Sequence, residues 1–301
     1  DHTYHGNTTV VAQLSATNRP ATGDGSHVRQ VPAPDSYRPL GGEGGMAHAH
    51  AFAAKVQAAI DDLNASGIGF SAVIFCPAFL NEGFPMLEPG WLTPTLEVVR
   101  KAGGLFIADE VQPGFARNGE RFWGHQRIGL QPDIVTMGKP MGNGHPVAGV
   151  VTTPDIMAAF RKSFRYFNTF GGNPVSCAAA MAVLDVIRDE GLQENARVVG
   201  AYAREGLAKL AEKYDWIGDV RGYGLFFGAE IVTDRKTKTP APAYTTRVAN
   251  EMRRRGVLMN KLGIHYNTLK IRPPMPFSTE NADLMLETLG GVLNDLGPAR
   301  D

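Results

Sequence analysis

An aspartate and a lysine thirty positions apart carry the strongest chemical signal in this chain. Asp109 closes the apolar run Gly104-Leu-Phe-Ile-Ala-Asp109 and is followed by Glu110-Val111-Gln112. Open α/β sheets bind ligands beyond the carboxyl ends of their strands, so a carboxylate there is placed to meet a ligand cation. Capping the next loop is its competing use. Lys139 follows a second apolar run, Asp133-Ile-Val-Thr-Met137, within Gly138-Lys139-Pro140-Met141-Gly142-Asn143-Gly144-His145-Pro146. Gly138, Gly142 and Gly144 suit close backbone approach. A lysine buried amid apolar strands has a lowered pKa, and its free amine can form a Schiff base with a carbonyl. A P-loop is the rival for glycine plus lysine, but the G-x-x-x-x-G-K-S/T spacing is absent. A G-x-G-x-x-G after an early strand is absent too, which argues against a nicotinamide dehydrogenase.

These residues need a scaffold, and the hydrophobic pattern outlines one. Residues 20–50 read as a long loop rich in proline and glycine, with Gly41-Gly42-Glu43-Gly44-Gly45 as a flexible connector. His48 and His50 flank Ala49, but no cysteine or carboxylate stands at ligand spacing, so no metal is expected. From His50, Phe52, Val56, Ala59, Ile60 and Leu63 share a helical face, and Gly67 is the expected stop. Buried strands are expected at 71–76, 104–109, 133–137 and 147–152, with a helix over about 92–102. Asn173 and Pro174 predict the cap and first turn of a helix running to about Glu190. A second helix follows over 192–213. Beyond it come strands near 216–233, a helix near 243–255, short strands near 257–259 and 269–271, and a helix near 279–295. This pattern predicts an α/β fold: a larger domain over 1–190 with a mostly parallel central sheet flanked by helices, then a smaller C-terminal α+β domain over 191–301.

Composition narrows the function classes. The chain has 301 residues, 43% of them hydrophobic, with 30 Lys+Arg balancing 30 Asp+Glu. Zero net charge argues against a nucleic-acid surface or a polybasic membrane contact. The two cysteines, Cys76 and Cys177, lie in apolar stretches, so a reducing cytoplasm is expected rather than a disulfide framework. No apolar run approaches the ~20 residues of a membrane-spanning helix, and no signal peptide is visible.

Together, Asp109-Glu-Val-Gln112, Gly138-Lys139 and Phe167-Asn-Thr169-Phe-Gly-Gly-Asn-Pro174 resemble the class III aminotransferases, pyridoxal phosphate (PLP) enzymes of fold type I. The likeness covers essentially the whole chain. The Gly-Lys-Pro-Met-Gly-Asn-Gly-His-Pro form resembles the branch holding alanine–glyoxylate aminotransferases and amino-alcohol phosphate phospho-lyases. The resemblance implies that Lys139 holds PLP as a Schiff base and that Asp109 pairs with the ring nitrogen. It implies that Gln112 bonds near the ring hydroxyl and that Tyr4 stacks on the ring with His5 beside it. Thr169 would bind the PLP phosphate of a neighbouring subunit, which implies a homodimer. The implied activity moves an amino group from a small amine or amino acid to an oxo-acid.

Three departures from the family pattern qualify this. The Glu-Pro pair of ω-amino-acid members is replaced by Cys76-Pro77, and Lys270 stands where its partner arginine would be, with Arg272 beside Pro273-Pro274. Substrates such as ornithine are therefore not expected. Arg272 and Arg221 are candidates for a substrate anion, with structural ion pairs as the alternative. The Gly/Ser-rich turn expected to cup the PLP phosphate would precede Asp1, so the chain reads as N-terminally truncated. A phospho-lyase acting on an amino-alcohol phosphate is the second reading of the activity, and a catalytically incompetent fragment the third.

Overall fold

The computed structural model describes residues 2–15 and 25–300; residues 20–24 of the expected loop lie outside the described residues. The larger unit opens with a one-turn helix, α1 (Thr9–Ala12), and a long helix, α2 (Gly45–Ala65). The latter begins a turn earlier than the expected His50, because Gly44 is extended at the cap and His48 and Ala49 already lie on the buried face with Phe52, Val56 and Ile60. His48 packs edge-on against Trp91, 4.8 Å between centroids, while His50 is exposed. There follow β1 (Ala72–Phe75), α3 (Thr93–Lys101), β2 (Leu105–Asp109), α4 (Gly124–Arg127), β3 (Ile134–Met137) and β4 (Gly149–Thr152).

These four strands form one sheet in the order β1-β2-β3-β4. The first three run parallel, and β4 runs antiparallel to β3. Its direction was not legible, since a short apolar run looks the same either way. Phe52 of α2, Val99 of α3 and Phe106 of β2 are buried in one core with Phe79 and Trp91 from the loop between β1 and α3. The register decides the chemistry: Asp109 pairs with Thr136, so β2 and β3 end side by side and Lys139 emerges just past Asp109.

α5 (Pro154–Ser163) was not expected. It buries no residue, so no apolar face marks it, although Thr153 caps its first turn and Pro154 opens it. α6 (Pro174–Asp189) and α7 (Leu192–Lys213) stand where expected, and the Asn173 side chain accepts from the Ser176 amide. The remainder is β5 (Ile217–Tyr223), β6 (Phe226–Asp234), β7 (Thr239–Pro240), α8 (Pro242–Arg254), β8 (Asn260–Leu262), β9 (Thr268–Ile271) and α9 (Thr279–Leu296). β5-β6-β9-β8 form an antiparallel sheet with β7 beside β6. A second core, including Leu207, Phe227, Tyr244 and Leu289, binds it to α7, α8 and α9. β8 lies after the expected 257–259, because its partners on β9 are Thr268, Leu269 and Lys270.

Candidate active site

Asp109 and Glu110 are adjacent, buried and differently employed. The Glu110 carboxylate accepts from the Gly124 and His125 amides at 2.9 and 2.7 Å and from His125 Nδ1 at 2.8 Å, so it holds the start of α4. Asp109, at the strand end, accepts from the Val111 amide at 3.0 Å through Oδ1. Its Oδ2 lies 2.6 Å from His5 Nδ1. The other face of Asp109 opens into a cavity of about 140 Å³ that Tyr4, Asn81, Gln112 and Lys139 also line. A wider cavity of about 400 Å³ adjoins it; Tyr4, Asn81, Gln112 and Lys139 line both, and Lys270 and Arg272 line the second.

Lys139 opens a 3-10 turn, Lys139–Gly142, directly after β3. Close approach governs that turn: a Cβ on Gly142 would stand 2.7 Å from Val147 Cγ1. Lys139 Nζ lies 5.6 Å from the centroid of the Tyr4 ring. The expected burial of Lys139 is corrected: its side chain is exposed, because the turn carries it past the sheet edge to the cavity mouth. His145, in the same loop, turns away and bonds Ser176 Oγ at 2.8 Å.

Gln112 bridges the two cavities. Its Nε2 reaches Asn81 Oδ1 at 3.4 Å, and its Oε1 accepts from Arg272 at 2.9 Å. Arg117 donates to the Pro273 carbonyl at 2.5 Å, which ties the Asp109 loop to the segment carrying Arg272. Burial, with the charges of Arg272 and Lys139 added, pushes the Lys270 amine down to about 8. Lys139, Lys270 and Arg272 thus make a cationic wall.

Of the two readings of Arg221, substrate-anion ligand or structural ion pair, the structure shows the ion pair. Arg221 is 4% exposed and closes a structural network, with Nε on the Gly83 carbonyl at 2.5 Å, NH1 on Asp219 at 2.9 Å and NH2 on Glu230 at 2.6 Å. Arg221 lines neither cavity. Thr169 lies outside both cavities on an exposed segment. Sequence reasoning missed Asn81 and Glu82, which line the inner cavity from the loop after β1. The only signal there was the missing Glu-Pro pair just upstream, which drew attention to Cys76 instead.

Residues 1–293 match the family described as aminotransferase class III. The chain belongs to the class III aminotransferase family. Over 291 residues it is 44% identical to an Arabidopsis thaliana protein named alanine–glyoxylate aminotransferase 2 homolog 2, mitochondrial, covering 95% of this chain and 58% of that one. It is 37% identical to a Caenorhabditis elegans protein named ethanolamine-phosphate phospho-lyase homolog 1, covering 96% of this chain and 64% of that one. The chain thus spans less than two thirds of the length of these curated relatives. Among solved structures it resembles a phospholyase from Arthrobacter in complex with phosphoethanolamine, with 42% identity and a TM-score of 0.91 over 98% of this chain and 70% of that one. A Bacillus anthracis aminotransferase matches at 28% identity and a TM-score of 0.85, covering 98% and 68% of the two chains.

Class III aminotransferases and these phospholyase neighbours are PLP-dependent. The pocket fits that cofactor. It offers a carboxylate for a protonated ring nitrogen, an amine for an aldehyde carbon, an aromatic ring for stacking and an amide side chain for the ring substituents.

Proposed function

We propose that the protein is a PLP-dependent transaminase that moves an amino group from a small amine or amino acid to an oxo-acid. The observation that carries this reading is the convergence of Lys139, Asp109 and Tyr4 on one cavity at the ends of neighbouring strands. When bound, PLP supplies a conjugated electron sink for the bond that breaks at the substrate carbon. Lys139 Nζ would hold the cofactor and, when free, would move the proton at the substrate carbon. Asp109, held by His5 and the Val111 amide, would face the ring nitrogen. Tyr4 would cover a ring face, and Gln112, steadied by Arg272, would lie beside the ring substituents.

A second reading, phospho-lyase action on an amino-alcohol phosphate, is favoured by the wall of Lys139, Lys270 and Arg272 together with the likeness to the Arthrobacter enzyme. In that reaction Lys139 takes the same proton, and phosphate leaves from the adjacent carbon. Alanine and phosphoethanolamine separate the two. Pyruvate from alanine without phosphate from phosphoethanolamine supports the transaminase. Phosphate and ammonia from phosphoethanolamine without pyruvate from alanine establish the lyase. Turnover of neither by the full-length protein overturns both readings.

The proposal extends to assembly and place. Thr169 sits among Tyr166, Phe167 and Phe170, which are 66%, 81% and 78% exposed, so this segment suits contact with a second copy whose cofactor phosphate Thr169 would bind. The division into domains at residues 190 and 191 rests on the two separate sheets. Among the described residues no helix is long and apolar enough to cross a membrane. A cytoplasmic location is proposed on the two free cysteines, whereas the name of the Arabidopsis relative places that protein in mitochondria. Cell fractionation distinguishes the two.

A further inference from the structure

Asn81 has no part in the proposed chemistry, yet it lines both active-site cavities. It stands half-buried on the loop after β1, and its main chain is fastened to the C-terminal sheet. The Gly263 amide, between β8 and β9, donates to the Asn81 carbonyl at 3.2 Å. Two residues on, Arg221 holds the Gly83 carbonyl. The approach is close: a Cβ on Gly83 would stand 3.0 Å from Arg221 NH2 and 3.4 Å from Gly263 Cα, with Gly83 at a φ of +115°. The loop is thus seated from both ends, and Asn81 has a fixed place against Gln112.

The Gln112 carboxamide is engaged on both sides. Arg272 NH1 lies 2.9 Å from one end, and Asn81 Oδ1 lies 3.4 Å from the other. Donor direction settles which end is which. A guanidinium only donates, so the Gln112 atom facing Arg272 is Oε1. Nε2 then faces Asn81, whose Oδ1 accepts from it. One Nε2 hydrogen is directed to Asn81, and the other is left for the cavity that Tyr4, Asp109 and Lys139 also line. A carboxamide turned end for end would present its carbonyl oxygen there instead. Arg272 does not secure this direction alone. It is exposed at the outer cavity and is itself the candidate for a substrate anion. When its guanidinium turns to an anion, the remaining hydrogen bond of the Gln112 side chain, among the described residues, is the one to Asn81.

We propose that Asn81 is a positioning residue: it accepts from Gln112 Nε2 and so keeps an amide hydrogen, rather than a carbonyl oxygen, turned to the cavity beside Asp109 and Lys139. The ligand this serves is one that offers an oxygen acceptor at that point, as the ring hydroxyl of PLP does. That consequence rests on the PLP reading, whereas the amide direction is a property of the protein.

Nitrogen NMR of glutamine-labelled, cofactor-free, full-length protein reads the amide directly, with the Gln112 pair identified as the one missing in Gln112→Leu. In wild type the Nε2 protons are expected to differ in shift from those of a solvated amide. Asn81→Leu is expected to move them to solvated values, and Asn81→Ala to do the same should the larger side chain disturb the fold. Asn81→Asp, which keeps an acceptor, is expected to hold the wild-type pattern, with circular dichroism verifying the fold of each variant. A Gln112 pair unmoved by the loss of the Asn81 acceptor would overturn the inference. PLP affinity in equilibrium dialysis supplies the second readout. Asn81→Leu is expected to weaken it several-fold in the wild-type background and to leave it unchanged in Gln112→Leu, because the effect passes through Gln112. An equal loss in both backgrounds means that Asn81 acts on its own, and the proposal fails. If wild type takes up no PLP, the PLP reading fails, while the amide signals still decide the direction of Gln112.

Discussion

Residue types alone do not distinguish Asp109 from Glu110; their partners do. Glu110 spends its lone pairs on the backbone of α4, while Asp109 keeps a face on the cavity with Lys139. Lys139→Ala is therefore expected to abolish covalent attachment: after borohydride reduction in PLP, intact-protein mass should show the cofactor adduct on wild type and none on the variant. Asp109→Ala is expected to retain PLP in equilibrium dialysis but to lose ~10²–10³ in turnover, about 3–4 kcal/mol, typical of one preorganised electrostatic group. Glu82 yields a pH prediction with a definite sign. Its folded pKa of about 7 exceeds its ordinary 4.5, so the folded state binds more protons between these values. Its contribution to stability is full below about 4.5 and is lost as pH rises to about 7. At about 1.4 kcal/mol per pKa unit this amounts to ~3 kcal/mol. Urea unfolding across that window should give a falling profile for wild type and a flatter one for Glu82→Gln. Lys139, Asp109, Gln112 and Tyr4 were legible because their motifs are local in sequence. Glu82 and Asn81 were not, because an ordinary loop acquires meaning only when β1 brings it beside β2. Arg221 left two readings open for the same reason: its network joins Gly83, Asp219 and Glu230, and nothing in Val220-Arg-Gly-Tyr-Gly224 announces that contact.

At the scale of elements, periodicity located helices and strands wherever burial marked one face, and failed where it did not. α6 and α7 carry clear caps and stripes, whereas α5 buries nothing and left no trace. The antiparallel course of β4 is a tertiary fact, imposed by pairing with β3 from Ile134 opposite Thr152 to Met137 opposite Gly149. Packing between elements is most demanding where α7 crosses the β5–β6 turn. Gly200 on α7 lies so close that a Cβ there would stand 2.0 Å from the Gly224 carbonyl oxygen. The neighbour is backbone, so it cannot swing aside. Gly200→Ala is expected to destabilise the protein by ~1–3 kcal/mol, the usual cost of overpacking, read as a lower midpoint in urea. The site itself should be little altered, because Gly200 lines neither active-site cavity. An unchanged midpoint would mean that α7 can slide on this turn and that the contact does not restrain it.

At the scale of the whole molecule, the apolar surface is unevenly distributed. From the end of α5 into α6, Phe164, Tyr166, Phe167, Phe170, Val175 and Met181 are 65%, 66%, 81%, 78%, 68% and 57% exposed. Scattered apolar side chains need no explanation, but a run this dense marks a contact surface. Thr169 lies within it, so in the proposed dimer that hydroxyl would reach the partner's cavity, while Lys139 and Asp109 of each copy would serve their own. Assembly and cofactor retention are then coupled. Burying one phenylalanine contributes ~1.5–3 kcal/mol. If the proposed dimer forms here, Phe167→Asp combined with Phe170→Asp is expected to weaken self-association more than about a hundredfold, read as a shift to monomer in sedimentation velocity. PLP should leave the monomeric variant faster on dialysis, and Thr169→Val should speed its loss without changing the sedimentation coefficient. If the double variant stays dimeric, the exposed run packs against something other than a second copy. If it becomes monomeric yet holds PLP as wild type does, the dimer stands but Thr169 has no part in the neighbour's site, and each cavity retains its cofactor through its own residues.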